Sequence, residues 1–252
     1  MGKNKLAKFA ELNVFGHVIQ VPYNELIKER FELKGNWNKF FKNDYPIVLE
    51  LGCGKGEYTV GLAKRFPEKN FIGVDIKGSR MWTGAKEVHT DELMNSAFVR
   101  TNIELLTYFF EPGEVAEIWI TFPDPQMKRT RKRLTSTRFL ETYCDILQPE
   151  GMIHLKTDSD FLYQYTLATI AANKFRVLVN TDDLYASGMA DEILSIKTYY
   201  ERQWLERGMK IKYIRYIPHN VDLIEPEVEI GLDDYRSFGR NSINRDSIVT
   251  KI

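Results

Sequence analysis

Glu50-Leu51-Gly52-Cys53-Gly54-Lys55-Gly56 sets a carboxylate just before a loop with glycine at every second position. Residues without a Cβ tolerate positive φ and leave room for a ligand to approach the backbone. A dinucleotide fingerprint would place its third glycine at position 57, where this chain has Glu57. A carboxylate there, at a helix N-terminus, competes with a pyrophosphate for the same amides and repels it. Glu50 likewise matches an ammonium better than a phosphate. Asp75 suits the hydroxyls of a ribose, and Asn102 can exchange hydrogen bonds with an adenine edge. S-Adenosylmethionine presents an α-amine, a sulfonium and a ribose but no phosphate. Glu50, Gly52, Gly54, Gly56, Asp75 and Asn102 together therefore favour it as cofactor over NAD. Singly, Glu50 also reads as a solvated strand end, Asp75 as a helix cap and Asn102 as a turn residue. Their succession at strand ends is what carries weight.

A second constellation follows at Phe122-Pro123-Asp124-Pro125. Prolines on both sides of Asp124 fix the backbone and remove two amide donors, which aims the carboxylate with little freedom. This is not the Asn/Asp-Pro-Pro-aromatic arrangement associated with exocyclic amino-group methylation. Cys53 and Cys144 fall in the glycine loop and in a helix, not where a cytosine-C5 nucleophile is expected. Between Pro125 and Glu141 stand six bases, Lys128, Arg129, Arg131, Lys132, Arg133 and Arg138, and no acid. Such a run reads either as a solvated loop or as a surface for a phosphate-bearing substrate, and its place beside Asp124 favours the substrate.

These residues need a scaffold, and the hydrophobic pattern supplies one. Apolar runs at 46–51, 70–76, 97–101, 115–121 and 152–157 alternate with helical spacing at 58–66, 79–89, 103–110, 135–147 and 160–173. Such alternation implies a parallel sheet with helices on both faces and functional residues at the carboxyl ends of strands, here Glu50, Asp75, Asn102, Asp124 and Asp158. Beyond residue 175 the pattern predicts a strand (175–180), an amphipathic helix (191–207) and a β-like run (210–217), compatible with a closing antiparallel hairpin. The division expected is an N-terminal arm with one helix over 23–33 (1–45), a central domain (46–217) and an acidic tail (218–252).

The 252 residues, 43% hydrophobic and 28% charged, exclude disordered and low-complexity classes. Net charge is zero, yet six acids (Asp222, Glu225, Glu227, Glu229, Asp233, Asp234) lie between Arg215 and Arg236 without a base, offsetting the basic run. No apolar stretch approaches the roughly 18 residues of a membrane span, and Lys3, Lys5 and Lys8 lead into no apolar segment. Two cysteines cannot build a disulfide framework or a four-thiolate zinc site. The expectation is a cytoplasmic protein with no membrane partner and no metal.

The Glu50–Gly56 stretch, Phe122-Pro123-Asp124-Pro125 with Lys128 and a basic stretch, Thr157-Asp158, and Thr198-x-x-Glu201 ahead of Gly208 together resemble the bacterial tRNA (guanine-N7-)-methyltransferases, over about residues 20 to 217. The resemblance implies a Rossmann-like class I methyltransferase fold. That is an α/β architecture whose mostly parallel seven-stranded sheet has helices on both faces and a closing antiparallel hairpin. It implies methylation by S-adenosyl-L-methionine of the variable-loop guanosine at position 46 of tRNA. By motif, Glu50, Asp75, Asn102 and Asp124 would line the cofactor pocket, while Lys128, Asp158 and the segment Thr198, Tyr199, Tyr200 and Glu201 would contact substrate. Gln126-Met127 replaces a Trp-containing dipeptide usual in the family, and the acidic tail has no counterpart in its pattern. Guanine N7 carries a lone pair and no proton, so Asp124 is assigned an orienting and electrostatic role. Asp158 or Glu201 would then accept from the N1–H and N2–H2 edge. Two other readings, an NAD-dependent oxidoreductase and a non-catalytic RNA-binding module, use the same βα units.

Overall fold

The computed structural model describes residues 3–219 and 222–234. In chain order its elements are α1 (Lys3–Leu12), β1 (Val18–Ile19), α2 (Tyr23–Leu26), α3 (Trp37–Phe41), β2 (Ile47–Leu51), α4 (Glu57–Arg65), β3 (Asn70–Val74), α5 (Gly78–Thr90), β4 (Ser96–Val99), α6 (Leu106–Phe109), β5 (Val115–Thr121), α7 (Thr137–Ile146), β6 (Leu147–Thr157), α8 (Asp160–Ala172), β7 (Arg176–Thr181), α9 (Tyr199–Leu205) and β8 (Lys212–Ile217). One sheet of order β1-β4-β3-β2-β5-β6-β8-β7 contains every strand of the described residues. The pairs from β1 to β6 are parallel, and β8 lies antiparallel between β6 and β7. The closing antiparallel element is thus present, and the strands among the described residues number eight rather than the seven expected.

Every residue of β2, β3 and β4 is buried, because helices cover both faces of a parallel sheet. Leu49, Leu51, Ile72, Val74, Ile118 and Ile120 pack with Phe139, Leu140 and Tyr143 of α7 and Leu162 of α8. The alternate positions Val48, Phe71 and Trp119 pack on the other face with Tyr58 and Leu62 of α4 and Trp204 of α9.

Four local expectations are corrected. The first residues, read as an extended arm, form α1, and Leu12 and Phe15 pack with Met81, Ala85 and Val88 of α5. Val18 and Ile19 then pair with Phe98 and Val99, adding the eighth strand. A two-residue strand leaves no period to read. The helix expected over 23–33 is the single turn α2, while Trp37 and Phe41 form α3 and bury in the core. The helix expected over 191–207 begins only at Tyr199, because Thr198 adopts extended backbone and its side chain accepts from Glu201 N. Pro149-Glu150-Gly151 reads in the sequence as a turn into the run at 152–157, and the structure makes it a bulge within β6, with register jumping from Val115–Leu147 to Glu117–Met152 and Glu150 at φ 64°.

Residues 222–234 form neither helix nor strand and lie along α8. Asn173, at the C-terminal end of α8, donates to Ile224 O (2.8 Å) and accepts from Ile224 N (2.7 Å). Glu225 accepts from Tyr165 Oη and Thr137 Oγ1, and Leu223 and Ile230 pack on the core. Because Asn173 is buried, Asn173→Ala leaves the Ile224 groups without these partners. It is expected to destabilise the fold by about 1–3 kcal/mol in urea unfolding, at unchanged m. An unchanged midpoint would show that the segment's docking adds nothing to stability.

Candidate active site

Strands β3 and β4 extend the sheet to one side of β2, and β5 and β6 extend it to the other. The loop after β2 therefore sits at the topological switch point, where ligands bind in open α/β sheets. Gly52, Gly54 and Gly56 all have positive φ, at 72°, 56° and 73°. Their purposes differ. A Cβ on Gly56 would lie 2.7 Å from the Phe98 ring, so that glycine serves packing. A Cβ on Gly52 would meet nothing within 4 Å, and one on Gly54 only Gly52 O at 3.9 Å, so the loop surface there is open.

Glu50, 3% exposed, ends β2 beneath this loop. Its Oε2 accepts from Thr59 N (2.8 Å) and Thr59 Oγ1 (2.5 Å) in the first turn of α4, and its Oε1 accepts from Thr121 Oγ1 (2.8 Å) on β5. Burial pushes the carboxyl up to about 7 despite these donors. Asp75, after β3, accepts from Gly54 N (2.9 Å) and Lys77 N (2.7 Å), which fixes the loop's crest. Asn102, after β4, is exposed and lines a cleft of about 300 Å³ with Ile76, Thr101 and Leu105. Arg100 also lines it, as do Gln20, Val21, Pro22 and Tyr23, a segment that no spacing in the sequence marked.

Across the switch point, Thr121 leads from β5 into the Phe-Pro-Asp-Pro turn. Phe122 and Gln126 take the left-handed region at φ 49° and 47°, unusual for residues with side chains and a sign of an over-determined turn. Phe122 N donates to Lys156 O (2.8 Å), which ties the turn to β6. Asp124 is exposed at its crest, and Oδ1 accepts from Gln126 N (3.0 Å).

The basic run divides, and its reading as one phosphate-binding surface is corrected. Arg133 is 7% exposed. It donates to Met127 O (2.8 Å) and Gln126 O (3.3 Å), and its guanidinium lies 4.4 Å from the Tyr165 ring centroid and 4.7 Å from that of Phe161. It folds the loop. Lys128, Arg129, Arg131 and Lys132 are exposed, with no acidic partner within 4.0 Å among the described residues. Arg138 is exposed on α7.

Asp158 ends β6 nearly buried, and its carbonyl accepts from Lys212 Nζ (2.8 Å). Next to it, Ser159 caps α8 by accepting from Leu162 N (3.0 Å) and donates to Asp233, which also accepts from Phe161 N (2.9 Å). Asp233 thus braces this end of the site from within the acidic run, where nothing in the sequence distinguished it. Thr198 caps α9, the rings of Tyr199 and Tyr200 meet edge to face at 5.6 Å, and Tyr199 is 41% exposed. Glu201 behaves differently. It and Lys156 are both 0% exposed, with Nζ 2.8 Å from Oε1 and 3.0 Å from Oε2, and Tyr185 Oη donates to Oε1 (2.6 Å). Burial pushes the Lys156 ammonium down against the pull of Glu201. Both oxygens of Glu201, expected to accept from a substrate edge, are bonded here to Lys156 and Tyr185 inside the fold.

Among the described residues, no helix is long and apolar enough to cross a membrane, and no group of three or more His, Cys, Asp and Glu is set to hold a metal. Residues 44–214 match the model of a family described as "Putative methyltransferase". The chain is 58% identical over 243 residues to the tRNA (guanine-N(7)-)-methyltransferase of Bacteroides thetaiotaomicron, covering 96% of each. It is 58% identical over 236 residues to the like-named protein of Porphyromonas gingivalis, covering 91% of this chain and 97% of that one. Among solved structures, the 16S rRNA methyltransferase KamB superposes with TM-score 0.58 over 77% of this chain and 96% of its own, at 15% identity, a likeness of fold.

The division of the basic run is testable without substrate. Arg133→Ala should lower stability by about 1.5–3 kcal/mol, the range for hydrogen bonds to a charged group, and leave elution from heparin unchanged. Replacing Lys128, Arg129, Arg131 and Lys132 together by Ser should elute earlier from heparin at unchanged thermal midpoint. Early elution of a fully stable Arg133→Ala protein would contradict the assignment.

Proposed function

We propose, because this chain belongs to the tRNA (guanine-N(7)-)-methyltransferase family, that it transfers a methyl group from S-adenosyl-L-methionine to N7 of a guanosine in tRNA. The variable-loop guanosine at position 46 is the target that the sequence resemblance implies. The bound cofactor supplies an electrophilic methyl on a sulfonium. The observation that carries the reading is the switch-point arrangement. A buried carboxylate lies under a glycine loop open at Gly52 and Gly54, and an exposed Asp124 stands on the adjoining turn.

Glu50 suits the cofactor's ammonium because a cation offsets the burial that raises its carboxyl. Asp75 suits the ribose beside the loop it braces, and Asn102 with Ile76 and Leu105 suits a flat, partly apolar ring. On the substrate side, guanine N7 has no proton to lose, so the reaction needs no general base. Alignment of nucleophile, methyl carbon and sulfur can contribute roughly 7–11 kcal/mol. The purine becomes cationic as the bond forms, and Asp124 is the exposed carboxylate placed to stabilise that charge. Of the two acids that the resemblance offers as acceptors for the N1–H and N2–H2 edge, Asp158 and Glu201, Glu201 already meets the Lys156 ammonium. Lys128, Arg129, Arg131 and Lys132 meet phosphates, each worth up to about 0.9 in the log–log salt slope. With tRNA as substrate, this activity belongs in the cytoplasm.

Incubation with tritiated S-adenosylmethionine and unfractionated tRNA, followed by nucleoside analysis, should yield 7-methylguanosine as the labelled product. Label in another nucleoside, or cofactor binding without transfer, would overturn the reading. Asp124→Asn keeps shape and loses charge. It should lower the single-turnover rate at saturating cofactor by 100-fold or more, roughly the scale of losing one electrostatic stabiliser, with tRNA affinity changed only a few-fold. A near-parental rate would transfer the central role to Asp158.

A further inference from the structure

Glu57 was informative in the sequence only for what it excludes, and the reaction as described leaves it unused. Its side chain leaves the first turn of α4 toward α9. Oε2 accepts from Tyr199 N (2.7 Å), and Oε1 accepts from Arg202 Nη2 (3.0 Å). Arg202 Nη1 also donates to Lys197 O (2.8 Å), so the segment before α9 is held as well. Neighbouring contacts cross the same gap. Lys55 Nζ, inside the glycine loop, lies 3.8 Å from the centroid of the Tyr199 ring. The Arg80 guanidinium on α5 lies 5.7 Å from that of Tyr200. Gly61 faces Ile196 so closely that a Cβ would stand 3.1 Å from Ile196 Cγ2.

The first turn of α9 is thereby pinned from two sides. From inside, Lys156 holds Glu201, and Thr198 Oγ1 accepts from Glu201 N (3.2 Å). From outside, Glu57 takes the amide of Tyr199, which Thr198 does not cap. Only the outer pin connects to the cofactor loop, through the residue that directly follows Gly56. Arg202 and Glu57 are 52% and 27% exposed, so their ion pair is too solvated to be explained by fold stability. A displacement of the loop on cofactor binding would reach Tyr199 and Tyr200 through one hydrogen bond and one stacked ammonium.

We propose that Glu57 is a positioning residue that couples the glycine loop to the Thr198–Glu201 segment, so that cofactor and guanosine binding reinforce each other. This rests on the reading that Tyr199 and Tyr200 border the guanosine. Linkage is reciprocal, so it can be read from either ligand.

The test measures tRNA affinity with and without S-adenosylhomocysteine, which fills the cofactor site without transferring a methyl. It uses the parent, Glu57→Gln and Glu57→Ala, with thermal unfolding to confirm that each is folded. The parent should bind tRNA at least about 5-fold more tightly with the cofactor product present, the lower end of typical coupling. In Glu57→Ala that ratio should fall to about one while S-adenosylhomocysteine affinity without tRNA stays within about 2-fold. Glu57→Gln keeps an acceptor for Tyr199 N and loses the carboxylate charge that meets Arg202, and should fall between. The defect should raise KM for tRNA more than it lowers kcat. A ratio in Glu57→Ala equal to the parent's, or no coupling in the parent, overturns the inference while 7-methylguanosine formation by the parent still supports the functional reading. A parent that forms no 7-methylguanosine overturns both.

Discussion

The carboxylate of Glu50 is the group around which the site is built. An acid can be buried at the end of a central strand only if donors surround it, and here α4 supplies two and β5 one. For Thr59 to reach back to Glu50, the chain must reverse tightly after β2, which three successive left-handed glycines allow. Phe98 then fills the space under Gly56, Gly73 and Gly84, where a Cβ would stand 2.7 to 2.9 Å from its ring. The loop's shape thus follows from one buried acid and one aromatic ring. The folded protein holds the Glu50 proton more tightly than the unfolded chain does. The stabilising advantage of the protonated form is full below the ordinary value of 4.5 and is lost as pH rises toward about 7. A cation seated beside Glu50 would reverse that loss.

The acids around the site divide by exposure. Glu201 is committed to Lys156 and Tyr185, Asp233 to Ser159 and the start of α8, and Glu57 to α9. These shape the walls. Asp124 alone among them stands exposed on a turn whose backbone is constrained by two prolines and two left-handed residues, a combination suited to acting on charge that develops in a ligand. Lys156 is central to this division: its side chain withdraws Glu201, and its carbonyl receives the amide that anchors the Asp124 turn.

Much of this was legible in the sequence where the determining interactions are local. The order of strands and helices follows from apolar runs buried on both faces. Glu50, Asp75, Asn102 and Asp158 stand at strand ends, as the pattern requires. The glycine loop was legible because positive φ is a demand on a single residue. Illegible features depend on partners far along the chain. Arg133 looks like its neighbours until Phe161 and Tyr165 close over it. Glu201 looks like a surface acid within the amphipathic stretch 191–207 until Lys156 meets it. The acidic tail carried no periodicity, and its placement comes from Asn173 and Ser159 at the two ends of α8.

If Glu50 receives the cofactor's ammonium as an ionised carboxylate, binding must expel its proton. The most direct measurement is calorimetry of S-adenosylmethionine binding at about pH 6.5, where an α-amine of ordinary pKa is already protonated, in buffers of different ionisation enthalpy. With the free carboxyl at about 7, the parent should release most of one proton per site, and affinity should weaken as pH falls further. A folded Glu50→Gln protein should release none and bind more weakly. A binding enthalpy independent of buffer in the parent would contradict the assignment of the ammonium to Glu50.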